Sequence, residues 1–319
     1  MHVTSNAHRD TQTQQQGNKI VLIDASWIAY RVLYGLPNLS YDGSDTSVIY
    51  GVFEQVLSLF KDERIKSNNM LFFFDSKKSH RKQAYPDYKR KRHENKTPKE
   101  LAQVIVMKQQ MNILFEALPI IGFPCYRQTG LESDDLIAAA SQACKGKAVI
   151  VSADGDLWQC ITDKISWYDA ARGTYYDPKA FKSKKGIAPS KWGEVKCLAG
   201  CSTDNVSGVQ GVGETTAIAF LTDTLPPSRK RYLDIVSNEG QRIIERNKGL
   251  VCLPHPRTRP IELRQPNFDP EKFFAFAEQY GLESYLTNNG RRLWKQFFSG
   301  FASYDLMHVR RRRRKAWTT

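Results

Sequence analysis

Three short apolar runs, each ending at or leading into an aspartate, limit what this chain can fold into more than any other feature. Residues 19–24 read Lys-Ile-Val-Leu-Ile-Asp24. Residues 70–75 read Met-Leu-Phe-Phe-Phe-Asp75. Residues 148–152 read Ala-Val-Ile-Val-Ser152, with Asp154 and Asp156 just beyond. Their near-continuous apolar character predicts strands buried on both faces. Between them lie segments with apolar residues at helical spacing: Val48 to Phe60 (Val48, Val52, Val56, Leu59), Leu101 to Leu118, and Leu136 to Cys144. Strands alternating with helices predict an α/β fold with a mostly parallel central sheet covered by helices.

From about residue 190 the strand-like runs fade and helical segments dominate. The expected organisation is a tail over 1–18, a sheet-containing domain over 19–189, a helical subdomain over 190–305 and a basic tail over 306–319. Residues 1–18 carry almost no bulky apolar side chain, so a disordered tail is expected there. Arg310 to Lys315 is an unbroken basic run. It reads equally as a grip on nucleic acid and as a solvated tail. No internal repeat is visible.

In open parallel sheets, active sites lie outside the carboxyl ends of the strands. Asp24, Asp75, Asp154 and Asp156 are therefore predicted to converge on one sheet edge. A further acidic cluster, Glu132, Asp134 and Asp135 in Gly130-Leu-Glu-Ser-Asp-Asp-Leu136, falls where the third helix starts. Acids complementing a helix dipole account for one or two of these carboxylates, not for the whole gathering. Like charges packed together are costly and call for protons or cations. An oxygen-only donor set suits Mg²⁺ or Mn²⁺. Paired ions of that kind hydrolyse phosphodiesters. None of the six histidines lies beside a candidate nucleophile motif.

The balance of charge points the same way. The chain has 319 residues and a formal net charge of +14, which favours a polyanionic partner, nucleic acid or an acidic membrane surface. Ten of the basic residues crowd between Lys77 and Lys99, with Tyr85 and Tyr88 interleaved. Charges for phosphates and rings for bases suit single-stranded nucleic acid, and the alternative is a solvated loop. Because the run starts just after Asp75, it should rise over the acids. A glycine-rich turn, Gly208-Val-Gln-Gly211-Val-Gly213, resembles a helix–hairpin–helix turn whose backbone N–H groups bind phosphate. A tight turn after a helix is the competing reading. No strand precedes it, which rejects a dinucleotide-binding fingerprint. The six cysteines form no CxxC pair, so reduced thiols in a reducing compartment are expected. No apolar run approaches a membrane span and no signal-peptide core is present, so a cytoplasmic protein without a membrane partner is expected.

Taken together, these motifs resemble the 5′-nuclease family of 5′→3′ exonucleases and flap endonucleases. The resemblance runs from about Ile20 to Pro254. It rests on VLIDASWIAYR, FFFD followed by HRKQAYPDYKRKR, GLESDDLIA, VSADGDLWQCI, GCSTDNVSGVQGVGETTA and RNKGLVCLP. It implies a PIN-like sheet, a helical arch at about 77–99 and a helix–three-turn–helix in the C-terminal part. It implies a first metal cluster of Asp24, Asp75, Glu132, Asp134 and Asp135, and a second of Asp154, Asp156 and Asp204. Asp134 and Asp154 would be catalytic, together with Lys89 and Arg92 at the foot of the arch. DNA contacts would come from Arg81, Tyr88, Lys89, Arg90, Arg92, Gly208, Gly211, Val212, Gly213, Thr215 and Thr216. In some members backbone carbonyls hold K⁺; here those would be Leu198, Ala199, Ser207, Val209 and Val212.

The resemblance further implies a monomer acting in a bacterial or phage-infected cell on DNA with a 5′ end or flap, RNA–DNA primer junctions included. One departure stands out: Cys201 occupies an aspartate position of the family pattern and weakens the second Mg²⁺ or Mn²⁺ site. A PIN-like RNA endonuclease and a non-catalytic binder of branched DNA remain as alternatives.

Overall fold

The computed structural model describes residues 19–35, 39–92, 94 and 96–300. The expected tails at 1–18 and 306–319 lie outside the described residues. In chain order the strands are β1 (Ile20–Asp24), β2 (Ser40–Tyr41), β3 (Ser44–Asp45), β4 (Met70–Phe73), β5 (Cys125–Tyr126), β6 (Ala148–Val151), β7 (Ile165–Asp169), β8 (Thr174–Tyr176), β9 (Gly200–Cys201) and β10 (Val206–Ser207). Among the described residues the main sheet has six strands in the order β5-β4-β1-β6-β7-β8, parallel except for the β7–β8 pair. The three aspartate-tipped runs are the adjacent strands β4, β1 and β6. They are in register, with Leu22 opposite Leu71 on one side and Ile150 on the other.

The pleat divides the apolar residues of these strands between two faces. Val21, Ile23, Phe72, Val149 and Val151 point into one core; Leu22, Leu71, Phe73 and Ile150 point into another. The first core is closed by the helices Ala25–Gly35, Ser47–Lys61 and Pro98–Ile121. The last of these is long and apolar enough to cross a membrane. Its residues Val104, Met107, Leu114, Leu118 and Ile121 instead pack into this core, and a Thr97–Glu100 capping box fixes its start. The second core is closed by the helices Ser133–Ala143, Trp192–Ala199 and Glu214–Leu221.

Packing crosses the expected boundary at 189/190. Within 192–261, Trp192, Val195, Leu198, Val212 and Ile235 do lie on the second face, while Cys197, Cys201, Val206, Leu250 and Val251 form a small separate cluster with Tyr88. The chain then returns to the first face, where Phe273, Trp294 and Phe297 are wholly buried beside Phe53 and Phe60. The helix Pro270–Gln279 and the helical residues 288–300 are thus part of the sheet domain's core. Truncating an aromatic of that size in a close-packed core costs about 3–5 kcal/mol, so this return is a structural closure.

Candidate active site

The carboxyl ends of β4, β1 and β6 form one edge, and the helix Ser133–Ala143 starts beside it. Ser133 joins the elements. Its N–H donates to Asp75 Oδ1 at 2.8 Å and its hydroxyl to Asp24 Oδ1 at 3.2 Å. The Ser152 hydroxyl donates to Asp24 Oδ2 at 2.9 Å, the Trp27 N–H donates to Asp24 Oδ1, and the Ser26 hydroxyl donates to Asp75. Asp154 caps the short 3₁₀ helix Gly155–Cys160 by accepting from the Asp156 N–H at 2.8 Å.

The electrostatics of this group are those of a site short of positive charge. Burial, then the neighbouring Asp75 carboxylate, pushes Asp24 up to about 7, against the bonds from Trp27 and Ser152. Burial, then the Asp154 and Asp24 charges, raises Asp134 well above the ordinary carboxylate range. Burial, then Asp156, brings Asp154 up to about 6. Among the described residues Asp134 Oδ1 is buried and accepts no hydrogen bond. A buried anionic oxygen without a partner is costly unless a cation serves it. The group Asp24, Asp75, Asp134 and Asp154 therefore fits a hard divalent cation; Asp154, expected with the second cluster, is counted here because its charge is the largest acting on Asp134.

Across the edge sits a second cluster. One ligand atom each from Asp156, Cys201 and Asp204 lie within 4.8 Å of one another. Its carboxylates already have cations. Lys196 Nζ lies 2.9 Å from Asp156 Oδ1, Arg92 Nη2 2.6 Å from Asp204 Oδ1, and Lys89 Nζ 3.7 Å from Asp204 Oδ2. The Cys201 sulfur is 3.1 Å from Thr203 Oγ1 and 4.0 Å from Asp156 Oδ2. Burial, then Asp156 and Asp204, holds its thiol up. Two compensated carboxylates and a thiol do not fit Mg²⁺, which wants oxygen ligands and dehydrates reluctantly.

Three expected site residues are placed otherwise. Asp135, expected as a metal ligand, is wholly buried and takes both Arg81 guanidinium donors, at 2.6 and 2.7 Å. It also accepts the backbone N–H groups of His255 and Glu132. Burial works against its ionisation, but these bonds win and lower it; its lone pairs are used. Arg81, expected on DNA, is the 3% exposed partner of that pair and donates further to the Leu250 carbonyl. Tyr88, also expected on DNA, is buried against Val206 and Leu250, with its hydroxyl on Glu132. The sequence shows these groups as basic, aromatic and acidic; it does not show that they satisfy one another.

Glu132 lies between the clusters, accepting from Tyr88 at 2.9 Å and from Lys89 Nζ at 2.7 Å. Lys89 has a positive φ of 55°, and its N–H donates to the Asp204 carbonyl at 2.8 Å. This pins the basic segment to the second cluster. The segment itself holds a short helix, His80–Ala84, and a 3₁₀ turn, Arg90–Arg92. Arg90 is exposed and shared between Asp87 at 3.4 Å and Glu94 at 3.6 Å. Nothing in the sequence singles out Lys196, the Asp156 partner, beyond its place on the helix Trp192–Ala199, five residues before Cys201.

The glycine turn leads from β10 into the helix Glu214–Leu221. Gly211 has φ +69°, and Gly208 is pressed so closely on the Leu198 and Ala199 carbonyls that a Cβ would meet them at 2.3–2.4 Å. Val209 and Val212 are buried. Gly213 and Thr215 are exposed at the helix start, a placement suited to phosphate; Thr216 is beside them. Of the five carbonyls expected around K⁺, three already serve the chain itself, that of Val209 by accepting from the Val212 N–H at 2.9 Å. The Leu198 carbonyl accepts from the Val209 N–H at 2.8 Å, and the Ser207 carbonyl accepts from Arg246 at 2.6 Å and Asn247 at 3.0 Å. A guanidinium there stands where added positive charge would be repelled.

Comparison with known proteins places this geometry in company. Residues 19–186 match the family model described as 5′-3′ exonuclease, N-terminal resolvase-like domain. The chain is 34% identical over 212 residues to DNA polymerase I of Bacillus subtilis, covering 64% of this chain and 23% of that protein. It is 32% identical over 207 residues to a 5′-3′ exonuclease of Aquifex aeolicus, covering 63% of this chain and 68% of that one. It thus spans between about a quarter and a third of the polymerases it resembles. In fold it is similar to the bacteriophage T5 5′-exonuclease solved with zinc, at a TM-score of 0.61 and 22% identity, covering 74% of this chain and 90% of that one.

Proposed function

The chain belongs to the 5′-3′ exonuclease family, and from that premise we propose that it hydrolyses phosphodiesters in DNA bearing a 5′ end or a 5′ flap, using a divalent metal held at the first cluster. Primer or flap removal in replication or repair is the corresponding role, with RNA–DNA junctions among the substrates. The observation that carries the reading is Asp134: a buried carboxylate with an unserved oxygen among Asp24, Asp75 and Asp154.

A divalent cation held there would supply Lewis-acid polarisation of the scissile phosphate and acidification of the attacking water. The chain's own groups do the rest. Ser133 and Ser152 hold the strand-end carboxylates in fixed orientation, so no reorganisation is required as charge develops. Lys89 spends its short bond on Glu132; an ammonium has three donors, and the remainder would neutralise a phosphate oxygen. Arg92, 45% exposed on its outer side, would draw the strand toward the acids. Gly213, Thr215 and Thr216 would bind the duplex backbone without reading sequence. The printed names of the relatives support this substrate class: 5′-3′ exonuclease for the Aquifex protein and flap endonuclease with DNA and metal ions for a T5 structure.

The test is cleavage of a 5′-labelled flap and of a nicked duplex with Mg²⁺, with Mn²⁺ and with chelator. Metal-dependent product from either supports the reading. Tight flap binding with no cleavage under any metal overturns it in favour of a branched-DNA binder.

A further inference from the structure

The second cluster differs from the first in donor chemistry as well as in charge. Asp156 and Asp204 bring two negative charges, and Lys196 and Arg92 bring two positive ones at 2.9 and 2.6 Å. The third donor, Cys201, is 6% exposed. A hard cation entering here would displace two charge-assisted bonds and gain only weak sulfur ligation in return. A thiophilic cation gains a metal–thiolate bond, which neither the Lys196 ammonium nor the Arg92 guanidinium can form.

We infer that Asp156, Cys201 and Asp204 form a mixed sulfur–oxygen site that selects a thiophilic divalent cation, of the Zn²⁺ or Cd²⁺ class, over Mg²⁺. The first cluster keeps the hard ion, so the two positions take different metals. On binding, the Cys201 thiol gives one proton to solvent and its thiolate ligates the metal. Lys196 keeps its proton and leaves Asp156, staying beside the Trp192 ring 5.8 Å away. Thr203, whose hydroxyl touches the sulfur, stays as its hydrogen-bond partner. This deepens the nuclease reading by assigning each position its class of ion, and it rests on that reading only for the role of the first cluster.

The probe is Cd²⁺ itself, titrated into the full chain at saturating Mg²⁺ and followed by the ultraviolet charge-transfer band of cadmium–thiolate bonds. Cys197 Sγ and Cys252 Sγ lie 3.4 Å apart and form a competing thiol pair, so the titration is repeated in Cys197→Ser/Cys252→Ser. In that background one equivalent of Cd²⁺ should give the band, and Cys201→Ser should remove it. Asp156→Asn, which leaves the thiol in place, should weaken Cd²⁺ at least about tenfold. An unchanged band in Cys201→Ser overturns the inference, as does full displacement of Cd²⁺ by Mg²⁺ at comparable concentration. The titration needs no turnover. Mg²⁺-dependent cleavage without a Cys201 band removes this inference alone; a Cys201 band without cleavage under any metal removes the nuclease reading alone.

Discussion

Two groups of acids share one edge of the sheet and differ in who balances them. Asp24 and Asp154 are held by hydroxyls and N–H groups, Asp134 Oδ1 accepts no hydrogen bond among the described residues, and burial with mutual repulsion raises all three. Asp156 and Asp204 are held by Lys196 and Arg92, and between them stands a thiol. The first group is an electrostatic structure short of positive charge. The second is nearly balanced. Number of carboxylates is therefore a poor guide to metal affinity; the cations already present decide.

The comparison breaks hardest at Asp134 and Asp135, neighbours in sequence with opposite fates. Arg81→Met should destabilise the fold by about 3–5 kcal/mol, because it strands the wholly buried Asp135 charge. Chemical denaturation measures this, and a change under about 1 kcal/mol would mean that Asp135 is free to serve a metal. Asp134→Asn should leave the fold intact. Metal-free protein should melt no lower, since a carboxyl that burial and the Asp154 and Asp24 charges disfavour as an anion becomes a neutral amide, while Mg²⁺-dependent cleavage falls about 10²- to 10³-fold, or ~3–4 kcal/mol of barrier. Loss of activity with loss of stability would assign Asp134 to the scaffold.

Restoring a carboxylate sharpens the contrast from the other side. Cys201→Asp should raise Mg²⁺-dependent cleavage by more than about tenfold, roughly 1.4 kcal/mol, read as initial rates at fixed enzyme. No change would show that the second position already works with Mg²⁺.

The smallest effect is a pH dependence. Asp24 and Asp154 titrate at about 7 and about 6 in the folded chain, above the ordinary carboxylate value. Carboxyls raised by folding favour the native state while protonated and withdraw that support as pH climbs from the ordinary carboxylate value through the folded values. Metal-free protein should therefore lose melting temperature between about pH 4 and pH 7, and Mg²⁺ should recover more of it at pH 8 than at pH 5. A flat metal-free profile would mean that the acids are compensated.

Much of this is legible in the sequence. Apolar runs of four or five residues have few folded uses, so β1, β4 and β6 and their aspartates followed directly, as did the acidic start of the helix Ser133–Ala143. What sequence could not separate were groups whose partners are distant along the chain. Arg81 and Asp135 are 54 residues apart, and nothing local says that they pair. Lys196 looks like any helical lysine until the fold brings it to Asp156. The amphipathic segment holding Phe273 announces a buried stripe without saying which face of the sheet receives it. The expected boundary at 190 therefore missed the return of the chain to the first core.

The most direct test of the contrast is a count of hard ions: Mn²⁺ titration of the full chain, with free Mn²⁺ followed by electron paramagnetic resonance. One tight Mn²⁺ per chain, retained in Cys201→Ser and lost in Asp134→Asn, is the predicted result. Two equivalent ions, or a single ion that survives Asp134→Asn, would contradict it.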